Sequence, residues 1–260
     1  MEIQINTEEE LIHLYRVLSA QGEWTSPRGE DCLELENFTY VCRPRIRFNA
    51  FQGRELNVPY IKREMAWYIN ADPFDTSIAQ HAAQWGKIVL NGKLNSNYGS
   101  YWFGPYGVKF IINTLKNDPW SRRAVIPMYG SDVDHMDPEA KDVPCTLAIE
   151  FRIRSNKLHM HAIMRSQDIL WGMANDLPTF SFLQEIVAAL LGIDMGNLTV
   201  TAGSFHVYKS RLRMFDNILA SNKYTPLLNR PPVIQQDEAN CLIEKCIDPT
   251  YAFSRWLLDV

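Results

Sequence analysis

"CTLAIEFRIRSNKLHMHAIMRSQD" occupies residues 145–168 and runs straight into "ILWGMANDLPTFSFLQEIVAALLG" at 169–192. From Cys145 to Ile153, and again from Lys157 to Met164, apolar and polar side chains alternate, which is the period of a strand whose two faces see different surroundings. Arg154-Ser155-Asn156 between them has the composition of a hairpin turn. Leu177 to Leu191 is nearly all apolar and stops at Gly192, which predicts a buried central helix with a glycine C-terminal stop. Strand, turn, strand and buried helix in succession give adjacent strands backed by a helix, hence the α+β class.

Working outward, Glu8 to Ala20 carries Leu11, Ile12, Leu14, Tyr15 and Leu18 at helical spacing and predicts a first helix. Ser26 to Asp31 is a turn-rich loop, and Leu33 to Arg47 predicts one or two strands. Pro59 to Tyr68 and Gly104 to Lys116 predict helices, Arg123 to Met128 a short strand, and Asn197 to Val207 another strand. With no repeat and no low-complexity linker, residues 1–260 are expected to form one domain.

The 260 residues are 46% hydrophobic and 22% charged, with a net charge of −4. That balance suits a globular chain and argues against a general affinity for duplex nucleic acid, which needs a basic face. No apolar run reaches membrane-spanning length, and the acidic N-terminus lacks the basic and apolar regions of a signal peptide. Cys32, Cys42, Cys145, Cys241 and Cys246 are scattered, with no C-x-x-C pair. The expectation is a reduced, cytoplasmic protein without a disulfide frame or a metal site.

Arg165, Ser166 and Asp168 form a charged cluster in a stretch expected to be buried, and buried charges must be paired or used. Arg122 and Arg123 read either as a basic surface turn or as a bidentate phosphate grip. Glu64, on a predicted helix, reads either as a solvent-facing carboxylate or as a working one. Asp176 precedes Leu177-Pro178 and so reads as an N-cap as readily as a ligand-reading acid. His159 and His161 share one strand face without an acidic third ligand and read as strand residues. His206 and Tyr208 have the same spacing and could hydrogen-bond one ligand hydroxyl.

Taken in order, Arg28 in an N-terminal loop, Glu64 in "REMAWY", Tyr98 in "NSNYG", Arg122 and Arg123 in "SRR", Cys145 in "PC", "RSQD" and "HVY" resemble the thymidylate synthase family, most clearly from about Tyr60 to Leu212. The resemblance implies a three-layer α/β/α fold and a homodimer with the large mixed sheet at its interface. It implies Cys145 as the nucleophile toward C6 of a pyrimidine nucleotide monophosphate, with Arg28, Arg165 and Ser166, and Arg122 and Arg123 from the partner, on the phosphate. His206 and Tyr208 would hold the sugar hydroxyl. Glu64 and Asp168 would serve the folate and the proton relay, with Trp85 and Tyr98 beside them, and the one-carbon donor would be 5,10-methylenetetrahydrofolate.

Three departures refine this. Thr146 stands where the synthases usually carry histidine, Met164 where they carry glutamine, and Asp176 where an asparagine reads uracil. A protonated or hydrogen-bonded aspartate suits cytosine, whose N4 donates and N3 accepts. "MRSQDILWGMAND" therefore looks most like the phage deoxycytidylate 5-hydroxymethylase branch, in which water, not hydride, captures the methylene. Ser166 favours dCMP over CMP. A CMP-preferring hydroxymethylase, a thymidylate synthase or dUMP hydroxymethylase, and a non-catalytic nucleotide- or RNA-binding relative are the other readings. The stretch from Cys241 to Val260 lacks the short terminal motif that closes over folate in the synthases.

Overall fold

The computed structural model describes residues 2–129 and 140–260. Its strands are β1 (Glu2–Ile5), β2 (Glu23–Thr25), β3 (Cys32–Cys42), β4 (Val125–Pro127), β5 (Thr146–Arg154), β6 (Lys157–Asp168) and β7 (Asp194–Tyr208). The α-helices are α1 (Ile12–Gln21), α2 (Val58–Asn70), α3 (Ala83–Ile88), α4 (Tyr98–Trp102), α5 (Val108–Asn117), α6 (Gly172–Leu191), α7 (Leu212–Ser221), α8 (Gln236–Ile243) and α9 (Ala252–Leu258). The strands make one mixed sheet in the order β1-β3-β7-β6-β5-β4, with β2 also on β3. β1 with β3 and β6 with β7 run parallel, and the other pairs are antiparallel.

The predicted hairpin is β5–β6. Ser155 and Asn156 turn it with φ of 51° and 56°, the left-handed pair that matches the twist of the flanking strands. Ile149 and Phe151, Leu158, Met160, Ala162 and Met164, and Leu198, Val200 and Ala202 all bury their side chains, as strict alternation requires. α6 lies against β6 and β7, and α2, α5 and α8 pack in turn on α6. α6 is therefore covered all round, which is why its sequence shows no polar stripe.

On the opposite parity, His159, His161, Ile163, Thr199 and Thr201 are half-exposed. Their polar atoms are laced together: Thr39 and Thr201 hydroxyls lie 2.9 Å apart, and the His161 Nε2 is 2.9 Å from the Thr201 hydroxyl. Opposite His159, β7 carries an extra residue, because Leu158 faces Met195 while Met160 faces Leu198. The bulge frees backbone groups, and side chains take them up. The Asn197 N–H donates to His159 Nδ1 (3.2 Å), and Gln184 Nε2 donates to the carbonyls of Leu158 (2.8 Å) and Gly196 (3.1 Å). Gly196 is required there, since a Cβ would come within 2.7 Å of the His159 ring.

Several boundaries depart from the sequence reading. The first helix is a 3-10 turn over Glu9–Leu11 leading into α1. The strand predicted from Leu33 to Arg47 ends at Cys42. α5 begins at Val108 because Gly107 before it has a non-helical backbone (φ −88°, ψ −147°). α6 starts at Gly172, five residues before the predicted Leu177, and ends as predicted at Gly192 in the left-handed conformation. Among the described residues no helix is long and apolar enough to cross a membrane.

Candidate active site

A cavity of about 320 Å³ opens where the ends of β6 and β7 and the segment before β5 meet α2, α3, α4 and the start of α6. Its walls include Arg28, Glu64, Trp85, Tyr98, Cys145, Arg165, Ser166, Asp168, Asp176, His206 and Tyr208. Eleven site residues expected from sequence thus converge from segments up to 180 positions apart. Arg122 and Arg123 are exposed and lie outside this chain's cavity lining.

Cys145 sits immediately before β5. Its carbonyl accepts the Arg165 N–H (2.8 Å), and the Arg165 side chain wraps the same segment, donating from Nε to the Pro144 carbonyl (3.0 Å) and from Nη2 to the Val143 carbonyl (2.8 Å). The same Nη2 stands 3.7 Å from Cys145 Sγ. Burial pushes the thiol above its ordinary range, and Arg165 is the strongest influence drawing it back, helped by Arg28, while Asp176 and Asp142 oppose. The arginine cluster that would hold a dianion therefore also favours the thiolate.

Glu64 is buried on α2, whose first turn is capped by the Asn57 side chain accepting the Tyr60 N–H (3.0 Å). One turn before Glu64, the Tyr60 hydroxyl donates to Glu64 Oε1 (2.8 Å) and accepts from Trp85 Nε1 (2.7 Å). Burial pushes the Glu64 carboxyl up to about 8, Tyr60 draws it down, and nearby Asp176 adds to the rise. Glu64 therefore holds a proton at neutral pH. Tyr98 stacks on Tyr68 at 5.4 Å with an 8° interplanar angle. Gly99 permits that approach: a Cβ there would meet the Tyr68 carbonyl at 1.6 Å.

Asp168 Oδ1 accepts the N–H groups of Leu170 (2.6 Å) and Trp171 (2.7 Å), which turns the chain from β6 into α6. Asp168 lines the cavity, and its Oδ2 is buried with no hydrogen-bond partner, an acceptor left unsatisfied. Because α6 begins at Gly172, Asp176 lies within its second turn and is not an N-cap. Its Oδ2 accepts from Gln167 Nε2 (2.9 Å), and Gln167 Oε1 accepts from the Tyr40 hydroxyl (2.9 Å). Burial pushes the Asp176 carboxyl up to about 7, with Gln167 drawing it down and Asp168 raising it. His206 and Tyr208 present adjacent rings 4.8 Å apart at the other end of the cavity, where Arg28 faces Tyr208.

Sequence reasoning missed four contributors. Asp142 receives the Ser96 N–H (2.9 Å) and the Ser96 hydroxyl, tying the "NSNYG" segment to the Cys145 segment. Tyr60, Gln167 and Tyr40 hold the two acids. Only Gln167 carried a signal, its place inside "RSQD". Thr146 and Met164, two of the departures from the synthase pattern, are directly opposite each other in the β5–β6 ladder and both buried, so they form one paired exchange. The C-terminus packs behind α2, with Lys62 Nζ donating to the Asp259 carbonyl (2.6 Å), and Val260 is not part of the cavity lining. Among the described residues, no group of three or more His, Cys, Asp or Glu side chains could hold a metal ion.

Two kinds of similarity match this geometry. The chain is 28% identical over 204 residues to a deoxyuridylate hydroxymethyltransferase of Bacillus phage SP01, covering 72% of this chain but 53%, about half, of that relative. It is 26% identical over 230 residues to the deoxycytidylate 5-hydroxymethyltransferase of Enterobacteria phage T4, covering 82% of this chain and 90% of the relative. Residues 10–240 match the thymidylate synthase family model, so the chain belongs to the thymidylate synthase family.

Proposed function

We propose that the chain is a cytoplasmic deoxycytidylate 5-hydroxymethyltransferase. The observation that carries this reading is Asp176, a half-buried acid bonded to Gln167 and pushed up to about 7, in the same cavity as the Cys145 thiol. Arg28, Arg165 and Ser166 line one wall and would bind the 5′-phosphate, while His206 and Tyr208 would bind the 3′-hydroxyl. Asp176 would pair with the N3–N4 edge of cytosine.

Cys145, as thiolate, adds to C6 and places electron density on C5, turning a poor carbon nucleophile into an enamine. 5,10-Methylenetetrahydrofolate would supply the electrophilic carbon, which stays bonded to the folate nitrogen as the C5–CH2 bond forms. Trp85, Ile88 and Trp171 give the cavity apolar lining that suits an aromatic co-substrate, and the unpartnered Asp168 Oδ2 suits a ring N–H. Loss of the C5 proton then breaks the CH2–N bond, expels tetrahydrofolate and leaves an exocyclic methylene conjugated to the ring. Glu64, oriented by Tyr60, lies where it can hold the attacking water and exchange its proton. Water adds to the methylene, and the C6–S bond breaks to release thiolate and the 5-hydroxymethyl nucleotide.

The half-exposed sheet face with His161 and Thr201 supports a homodimer, in which Arg122 and Arg123 reach the partner's phosphate site. Deoxyuridylate is the second reading, favoured by the name of the phage SP01 relative. CMP is a weaker alternative. Tritium release from C5 of dCMP, CMP and dUMP with the folate, followed by product identification, separates them. dCMP is expected to turn over fastest and give the hydroxymethyl product. Preferred turnover of dUMP would overturn the reading.

A further inference from the structure

Cytosine and uracil differ at the edge Asp176 would read. Cytosine offers an acceptor at N3 and a donor at N4, while uracil offers the reverse at N3 and O4. An ionised carboxylate presents two acceptors, so it meets one donor and one lone pair in either base and discriminates poorly. A neutral carboxyl presents one donor and one acceptor. It complements either base, according to which oxygen carries the proton. A free acid can move that proton between its oxygens at little cost, so an unconstrained Asp176 would accept both bases. Selectivity needs something that fixes the proton.

The neighbouring amide supplies it. Gln167 Nε2 donates to Asp176 Oδ2 at 2.9 Å, which makes Oδ2 the accepting oxygen and leaves the proton on Oδ1. A glutamine amide can turn over and present its oxygen instead, which would reverse the assignment. Here the Tyr40 hydroxyl donates to Gln167 Oε1 at 2.9 Å. Tyr40 and Gln167 are both buried, with the Tyr40 ring packed beside the stacked pair Phe38 and Phe205. A turned amide would put an NH2 group against that hydroxyl and leave its buried proton without this acceptor, a costly arrangement. The other titratable groups facing Asp176 are Asp168 on β6, Glu64 and Tyr68 on α2, Tyr98 on α4, and Cys145. None of them donates to its carboxyl in a hydrogen bond that competes with Gln167.

We infer that Gln167, held in one orientation by Tyr40, fixes the proton of Asp176 on Oδ1 and is the positioning residue that makes the site read one base. The inference rests on the cytidylate reading, in which Oδ1 lies opposite N3 and Oδ2 opposite N4. The chain Tyr40–Gln167–Asp176 links β3, β6 and α6, so the preference is set from a strand remote from the ligand.

The test uses the full-length protein with Gln167→Met, which keeps volume and removes the donor, and Tyr40→Phe, which removes only the orienting hydroxyl. kcat/KM for dCMP and dUMP is measured across pH, with thermal melting as a check on folding. The dCMP-to-dUMP ratio is expected to fall roughly ten-fold in Gln167→Met, about the worth of one hydrogen bond, and by less in Tyr40→Phe. Because the Gln167 bond draws the Asp176 carboxyl down, the alkaline limb of the dCMP profile should also move to higher pH in Gln167→Met. A purely structural role would lower both substrates in proportion and leave the ratio alone. An unchanged ratio in both variants overturns the inference. Wild-type preference for dUMP overturns the cytidylate reading instead, and the ratio in the variants still tests Gln167.

Discussion

Glu64→Gln should make the protein more stable as pH rises while removing most of its activity. The Glu64 carboxyl has an ordinary value of 4.5 and is pushed up to about 8 by burial. The folded state therefore keeps a proton that the unfolded state has lost between those limits, and wild-type stability falls as pH climbs through the interval. Below about 4.5 both states are protonated and the term vanishes. Above about 8 both are ionised and the penalty is complete. The interval, at about 1.4 kcal/mol per pH unit, sets a ceiling of roughly 5 kcal/mol, and access of water through the cavity will hold the measured value below it. Glutamine keeps the acceptor for Tyr60 but never ionises, so the variant escapes the penalty. Asp176 is present in both proteins, so the difference between them reports Glu64 together with its coupling to Asp176. Urea unfolding followed by tryptophan fluorescence, at one protein concentration and from about pH 5 to about pH 9, would measure it. Nearly equal stabilities at the acid end should diverge steadily in favour of the variant. A difference that does not change with pH would refute the burial argument for Glu64. Turnover should fall on the order of a hundred-fold, the usual worth of a positioned acid–base group.

Three further outcomes are expected. Arg165→Met should move the pH midpoint for alkylation of Cys145 by iodoacetamide upward, since the guanidinium is the largest influence drawing the thiol down; measuring without nucleotide separates this from phosphate binding. Tyr60→Phe should push the Glu64 carboxyl still higher, because the lost bond was drawing it down, and should show as an alkaline shift in the pH–rate profile with about a ten-fold lower kcat. Gly99→Ala should cost about 3 kcal/mol or prevent folding, because its Cβ would have to occupy the position of the Tyr68 carbonyl; chemical denaturation checks it, and a wild-type midpoint would refute the close approach.

The β5–β6 hairpin and the Gly192 stop were legible because their causes are local: side-chain alternation and left-handed turn residues. The N-terminus of α6 was not legible, because a helix buried on every side carries no polar stripe to mark where it begins. Its real start is signalled by Asp168, whose Oδ1 accepts the Leu170 and Trp171 N–H groups, a short-range turn hidden inside a motif that reads as ligand-binding. Tyr40 with Gln167, Tyr60 with Trp85 and Ser96 with Asp142 are separated by 127, 25 and 46 positions. Each is an ordinary polar residue in its own segment, and only the fold brings the partners together.

Moving the start of α6 also changes what Asp176 is for. As an N-cap it would have had backbone N–H groups to accept, and those bonds would have held the carboxylate ionised. Within the second turn it has no such duty, and its hydrogen-bond donor is one side-chain amide. A half-buried acid with a single neutral donor and a second acid, Asp168, nearby is costly to ionise, and no helix geometry depends on it. Such a group is destabilising in the empty protein and is compensated only when a ligand takes up its proton-bearing oxygen. The same reasoning covers Glu64, which Asp176 pushes further up. The two acids are held by Gln167 and Tyr60 from different elements, yet they share one field, so a change in the charge on Asp176 also moves Glu64.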